Sequence, residues 1–187
     1  MRRLLSPLAF VAAAFIAFVA AGPAPLIARD RAAALAGAGE RLLQAGQTDQ
    51  SLPYLRKLLE LQPHNDNARY ALALALLFPT ESADRAGGLT RNRLQESADH
   101  LTECLERARG VSDTGAFTGG RLFYLALAHW WLGNPDQALG FFEQSFRADP
   151  ERIEALYNRF AIYEELGKSS EARLELDRYL KLAESAQ

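Results

Sequence analysis

The chain has 187 residues, 49 % of them apolar and 24 % charged, a globular composition that excludes wholesale disorder. Lys and Arg number 21 against 23 Asp and Glu, so the basic excess of a general nucleic-acid binder is absent. A single cysteine, Cys104, excludes an internal disulfide framework and a multi-cysteine zinc site.

Arg2 and Arg3 are followed by no charged residue until Arg29, and the stretch 8–21 (LAFVAAAFIAFVAA) is densely apolar. It is apolar on every face, which predicts one N-terminal apolar helix rather than an amphipathic helix of the body. Two readings of residues 1–28 stay open. A cleaved signal peptide has a basic start and small residues at the cut, and Val19-Ala20-Ala21 supplies them. A single membrane-spanning anchor needs about 20 apolar residues, which the uncharged run provides, although Pro23 and Pro25 interrupt its end. Either way the arginine pair stays in the cytoplasm and the body, residues 29–187, is exported. The Ala- and Arg-rich composition has a bacterial look, which places the body on the periplasmic side of the inner membrane, soluble or tethered through residues 4–28.

The body repeats. Leu132 and Leu166, Gly133 and Gly167, and Ala138 and Ala172 are each 34 residues apart. Gly46 and Gly133 are 87 residues apart, as are Pro63 and Pro150, which is two periods with 19 residues inserted. In chain order, the first helix pair covers 32–65 and turns at Gly46. Its second helix starts near Ser51, leaving Pro53 in the tolerant first turn. The second pair opens with a helix over 66–78, capped by Asn65 or Asp66. A polar loop over 79–88 takes 13 of the inserted residues, and a helix from about 90 to 108 follows. That helix is predicted from Leu94, Ala98, Leu101, Leu105 and Ala108, which recur at helical spacing. The Gly-rich stretch 110–120 is a link that takes the other six. The third pair, 119–152, turns at Gly133, with Asn134 as cap and Pro135 in the first turn. The fourth, 153–186, turns at Gly167, with Ser169 or Ser170 as cap and a last helix over 171–183.

Leu125-Ala126, Leu132-Gly133, Ala138, Phe142 and Pro150 carry a resemblance to the tetratricopeptide repeat (TPR) family that covers about residues 32–186. The fourth pair keeps Ala155, Tyr157, Tyr163, Gly167 and Ala172, and departs from the pattern at Phe160 and Glu184. The resemblance implies an all-α fold: a right-handed α-solenoid of about four helix pairs, preceded by the N-terminal apolar helix. It also implies a concave groove lined by the first helix of each pair, which receives a peptide or protein partner. Carried over position by position, the groove comprises Asn67, Tyr70 and Leu74 in the second pair, Phe123, Tyr124, Leu127 and Trp130 in the third, and Tyr157 and Asn158 in the fourth. The basic residues that accompany asparagine in the family's clamp for terminal carboxylates are missing.

No residue pattern points to catalysis, a cofactor or a metal. His64, His100 and His129 are isolated. His100, Glu103 and Cys104 share a helix face but make an incomplete ligand set. Asp113-Thr114-Gly115 spells the aspartic-protease tripeptide without the β-rich lobe that it needs. The reading reached is therefore a protein–protein interaction scaffold or assembly factor outside the cytoplasm, and not an enzyme. Two narrower alternatives stand beside it: a stable accessory subunit of a membrane complex, and a periplasmic factor in the maturation of cytochrome c or another cofactor protein, which rests on fold analogy alone.

Overall fold

The structure, a computed structural model, describes residues 26–80, 90–109 and 115–185. Its described residues form eight α-helices and no strand: α1 (Leu26–Gln44), α2 (Thr48–Leu61), α3 (Asp66–Leu77), α4 (Arg91–Ala108), α5 (Gly115–Trp131), α6 (Pro135–Ala148), α7 (Glu154–Glu165) and α8 (Ser169–Ser185). They fall into two compact units, one running to Cys104 and one starting at Leu105. The N-terminal apolar stretch expected as a leader or anchor lies outside the described residues, apart from the first residues of α1. No described helix is long and apolar enough to cross a membrane.

Three glycine turns set the helix pairs. Gly46, Gly133 and Gly167 have φ of 71°, 83° and 72°, the left-handed region that a Cβ disfavours. Each closes the same cap: the amide just past the glycine reaches back five residues, Gln47 to Leu42 O at 2.8 Å, Asn134 to His129 O at 2.9 Å and Lys168 to Tyr163 O at 2.9 Å. The 34-residue repeat read in the sequence is thus a repeat of one hydrogen-bonded turn.

The first unit packs in chain order, α1 on α2 and α2 on α3. Ala32, Ala36, Leu58 and Ala68 form one apolar cluster, and Leu43, Leu55, Leu72 and Leu76 belong to another. Asn65 caps α3 by accepting from the Ala68 amide at 3.0 Å. The C-terminus of α3 has no glycine, and Arg93 of α4 takes its place. Its guanidinium donates to Leu76 O (3.2 Å) and Ala75 O (3.0 Å) and pairs with Asp49 (2.6 Å). Asp49 also accepts from the Thr80 amide at 3.1 Å, so α2, the end of α3 and α4 are bound through one arginine–carboxylate pair. Ser97 Oγ donates to Ala73 O at 2.8 Å and fixes α4 against α3.

The second unit packs α5 on α6, α6 on α7 and α7 on α8. Phe123 and Phe142 are fully buried, with rings edge to face at 5.3 Å. Ala138 and Ala172 are buried at the pair contacts, as their size predicts.

Several local expectations are corrected. Pro53 lies inside α2, because the turn at Gly46 starts that helix at Thr48, earlier than Ser51. Its missing amide is one turn deeper than expected, and the residue is exposed. Asn134 precedes α6 but makes no side-chain cap bond; its side-chain amide lies 3.4 Å from His129 Nδ1 instead. Ser169 and Ser170 are the first residues of α8 rather than its cap, and α8 extends beyond 171–183 at both ends. The largest correction is the Gly-rich stretch, whose residues from Gly115 onward are helix. Gly119 is buried there, and Ser145 Oγ of α6 donates to its carbonyl at 2.7 Å. The glycines permit close approach: a Cβ on Gly119 would overlap Asp149 Cβ and stand 3.2 Å from Ser145 O, and one on Gly115 would overlap Ala148 O.

This geometry sets two glycines of one helix pair against each other. Gly119→Ala forces α5 away from the end of α6 and is expected to lower the unfolding free energy by about 1–3 kcal/mol. A methyl group added at Gly140 of α6 would meet nothing within 4 Å, so Gly140→Ala is expected to raise it by about 0.5–1 kcal/mol. Urea denaturation of the two variants checks both signs.

Candidate partner-binding faces

In the first unit, α3 carries Asn67 and Tyr70 half-buried, while Leu74 is 3 % exposed and part of the packed interior. In the second unit, α5 carries Phe123, Tyr124 and Leu127, all buried, and Trp130, half-buried near its C-terminal end. Tyr124 packs edge to face on Phe123 at 5.5 Å. Burial pushes its phenol pKa up, and the nearby Arg152 opposes that shift. Arg152 also lies over the Phe123 ring, 5.6 Å from its centre.

On α7, Tyr157 is half-buried between Phe160 of its own helix (5.7 Å) and Tyr179 of α8 (5.5 Å). Asn158 is fully buried, and neither its amide nitrogen nor its amide oxygen has a hydrogen-bond partner. Of the nine residues read as a partner-binding face, Asn67, Tyr70, Trp130 and Tyr157 thus keep accessible surface. Leu74, Phe123, Tyr124, Leu127 and Asn158 lie inside.

Sequence reasoning missed a polar cluster on α6, α7 and α8. Arg159 pairs with Glu143 (2.5 Å) and Glu175 (2.7 Å) and donates to Leu139 O at 3.3 Å. Arg178 pairs with the same two carboxylates, Glu175 at 3.0 Å and Glu143 at 3.4 Å, and Arg147 pairs with Glu143 at 3.1 Å. Glu175 is 3 % exposed. Its one sequence signal is position: it falls three residues after Ala172, on the inward face of α8.

The helix face of His100, Glu103 and Cys104, an incomplete ligand set in the sequence, is engaged in contacts of its own. Glu103 pairs with Arg69 at 2.7 Å, and Cys104 Sγ points to Asp66 O at 3.7 Å. Burial, followed by Arg69, lowers the pKa of His100, against Glu96, Glu103 and Asp99. Among the described residues no group of three His, Cys, Asp or Glu side chains could hold a metal ion. An open groove of about 210 Å³ runs along α1, lined by Ala32, Ala33, Ala36 and Gly37 with Arg29, Glu40 and Gln62 around it, and none of the nine residues borders it.

No protein-family model and no curated protein matches the chain. Solved structures do. A crystal structure of MamA is 19 % identical, with a TM-score of 0.67 over 83 % of this chain and 80 % of that one. A double mutant of MamA from RS-1 is 15 % identical, with a TM-score of 0.67 over 83 % and 77 %. MamA from AMB-1 is 19 % identical, with a TM-score of 0.60 over 80 % and 71 %. These are TPR-repeat proteins, and the likeness establishes a TPR-type all-helical fold for this chain.

The cluster around Glu143 sets an acid limit on the second unit. Burial would raise this carboxyl's pKa, but Arg159 and Arg178, with hydrogen bonds from Arg147 and Arg178, hold it below the ordinary 4.5. A carboxylate depressed in the folded state contributes stability above its unfolded pKa and loses it as pH falls through the folded value. Unfolding free energy is therefore expected to decline on acidification below about pH 4.5, and Glu143→Gln to flatten that decline. Denaturation curves across about pH 2.5–6 measure the slope, and an equal slope in both proteins would contradict this role.

Proposed function

We propose that the chain is a protein–protein interaction scaffold or assembly factor that acts on the extracytoplasmic side of a membrane. Each unit offers its own face to a polypeptide partner through the first helices of its pairs, α3 in one and α5 with α7 in the other. The TPR-type fold supports an interaction role, and the uncharged stretch after Arg2 and Arg3 supports export. The half-buried aromatics Tyr70, Trp130 and Tyr157 suit partner contact, because aromatic side chains bury large area at modest entropy cost.

One observation carries the reading: each of these first helices keeps a half-buried aromatic side chain, Tyr70 on α3, Trp130 on α5 and Tyr157 on α7, with surface left for a partner to cover.

The test separates folding from capture. With Tyr70, Trp130 and Tyr157 replaced by Ala, helical content by circular dichroism is expected to stay near the wild-type value, while crosslinking pull-down from intact membranes loses the adduct that the wild-type chain gives. An unchanged adduct from the folded variant would count against the proposal.

A further inference from the structure

The last helix is attached in an unusual way. Of the 17 residues of α8, only Ala172 and Glu175 are buried, so one small apolar side chain and one carboxylate sit at the heart of the contact. Leu174 is 60 % exposed and Leu180 46 %. Leu176, Tyr179, Leu182 and Ala183 are half-buried. The apolar contribution to docking α8 is accordingly modest, since it scales with the area removed from water.

Charge supplies much of the rest. Glu175 accepts from Arg159 of α7 at 2.7 Å and from Arg178 of its own helix at 3.0 Å. Arg178 reaches Glu143 of α6 and lies 5.5 Å from the centre of the Phe146 ring. Arg159 lies 5.9 Å from the Tyr163 ring and pairs with Glu143, which Arg147 also contacts. Bonds to charged groups are stronger than neutral ones, but a buried ion pair fails sharply when one partner is lost, because the other charge is left uncompensated. An apolar interface weakens gradually on substitution. This one concentrates on Glu175, with the Arg178–Glu143 pair as the second charged tie between α8 and its neighbours.

The same interface covers a residue of the partner-binding face. Tyr179 of α8 stands edge to face on Tyr157, and α8 joins α7 through a three-residue turn at Gly167. We infer that α8 is a charge-held latch: a helix that opens as a unit, uncovering Tyr157, when Glu175 loses its bonds to Arg159 and Arg178. Local opening of this kind is the ordinary behaviour of elements with few buried apolar contacts. The inference does not rest on the identity or existence of a partner, because its readout needs none.

Hydrogen exchange of the full chain, read by mass spectrometry at fixed pH and temperature, tests it. In Glu175→Gln the amides of α8 are expected to exchange at least about tenfold faster, while those of α5 and α6 keep their wild-type rates. Arg178→Gln removes only the more exposed arginine and is expected to give a smaller acceleration with the same confinement to α8. If Glu175→Gln fails to fold, Arg178→Gln decides alone. Equal acceleration across α5–α8, or an unchanged α8 in the variants that fold, would overturn the latch.

Discussion

Close approach between paired helices is the constraint on which each unit depends. A helix pair presents an apolar stripe that only a near neighbour can cover, and small side chains at the contact set how near that neighbour comes. Ala98, Ala138 and Ala172 are buried at such contacts, and Gly119 lets α5 reach the end of α6 where a methyl group would collide with Asp149. Serine hydroxyls complete the approach, Ser97 to Ala73 O in one unit and Ser145 to Gly119 O in the other. A side-chain bond to a helix carbonyl is possible only when the two axes are close. Size and hydrogen bonding therefore enforce the same geometry.

Where small residues and apolar area run short, the chain uses charge. Arg93 closes the end of α3, where glycine ends α1, α5 and α7, and Arg159 joins α6, α7 and α8 through Glu143 and Glu175. Such pairs specify register but are brittle, since each buried charge depends on its partner.

The turns and the order of helices were legible in the sequence, because Gly46, Gly133 and Gly167 each answer a local demand for positive φ that few other residues meet. Asn65 was legible for the same reason, as a cap bonds within its own turn. The start of α5 was not. Glycine is a poor helix former, and Gly115, Gly119 and Gly120 read as a link until the helix end beside them is known. The cluster around Glu175 was illegible because its members lie up to 35 residues apart, Glu143 to Arg178, and share no spacing rule. The candidate face divided in the same way. Helical position placed Tyr70, Trp130 and Tyr157 where they keep surface, but could not foresee that neighbouring elements bury Phe123, Tyr124 and Leu127.

The central claim is that the first helices of the pairs meet the partner and the second helices do not. Site-specific photocrosslinking in intact membranes tests it most directly, with the photoreactive side chain placed at Trp130 of α5 or at the exposed Gln144 of α6. The account predicts a discrete adduct of one polypeptide from position 130 and none from position 144. An adduct from position 144 alone would contradict it.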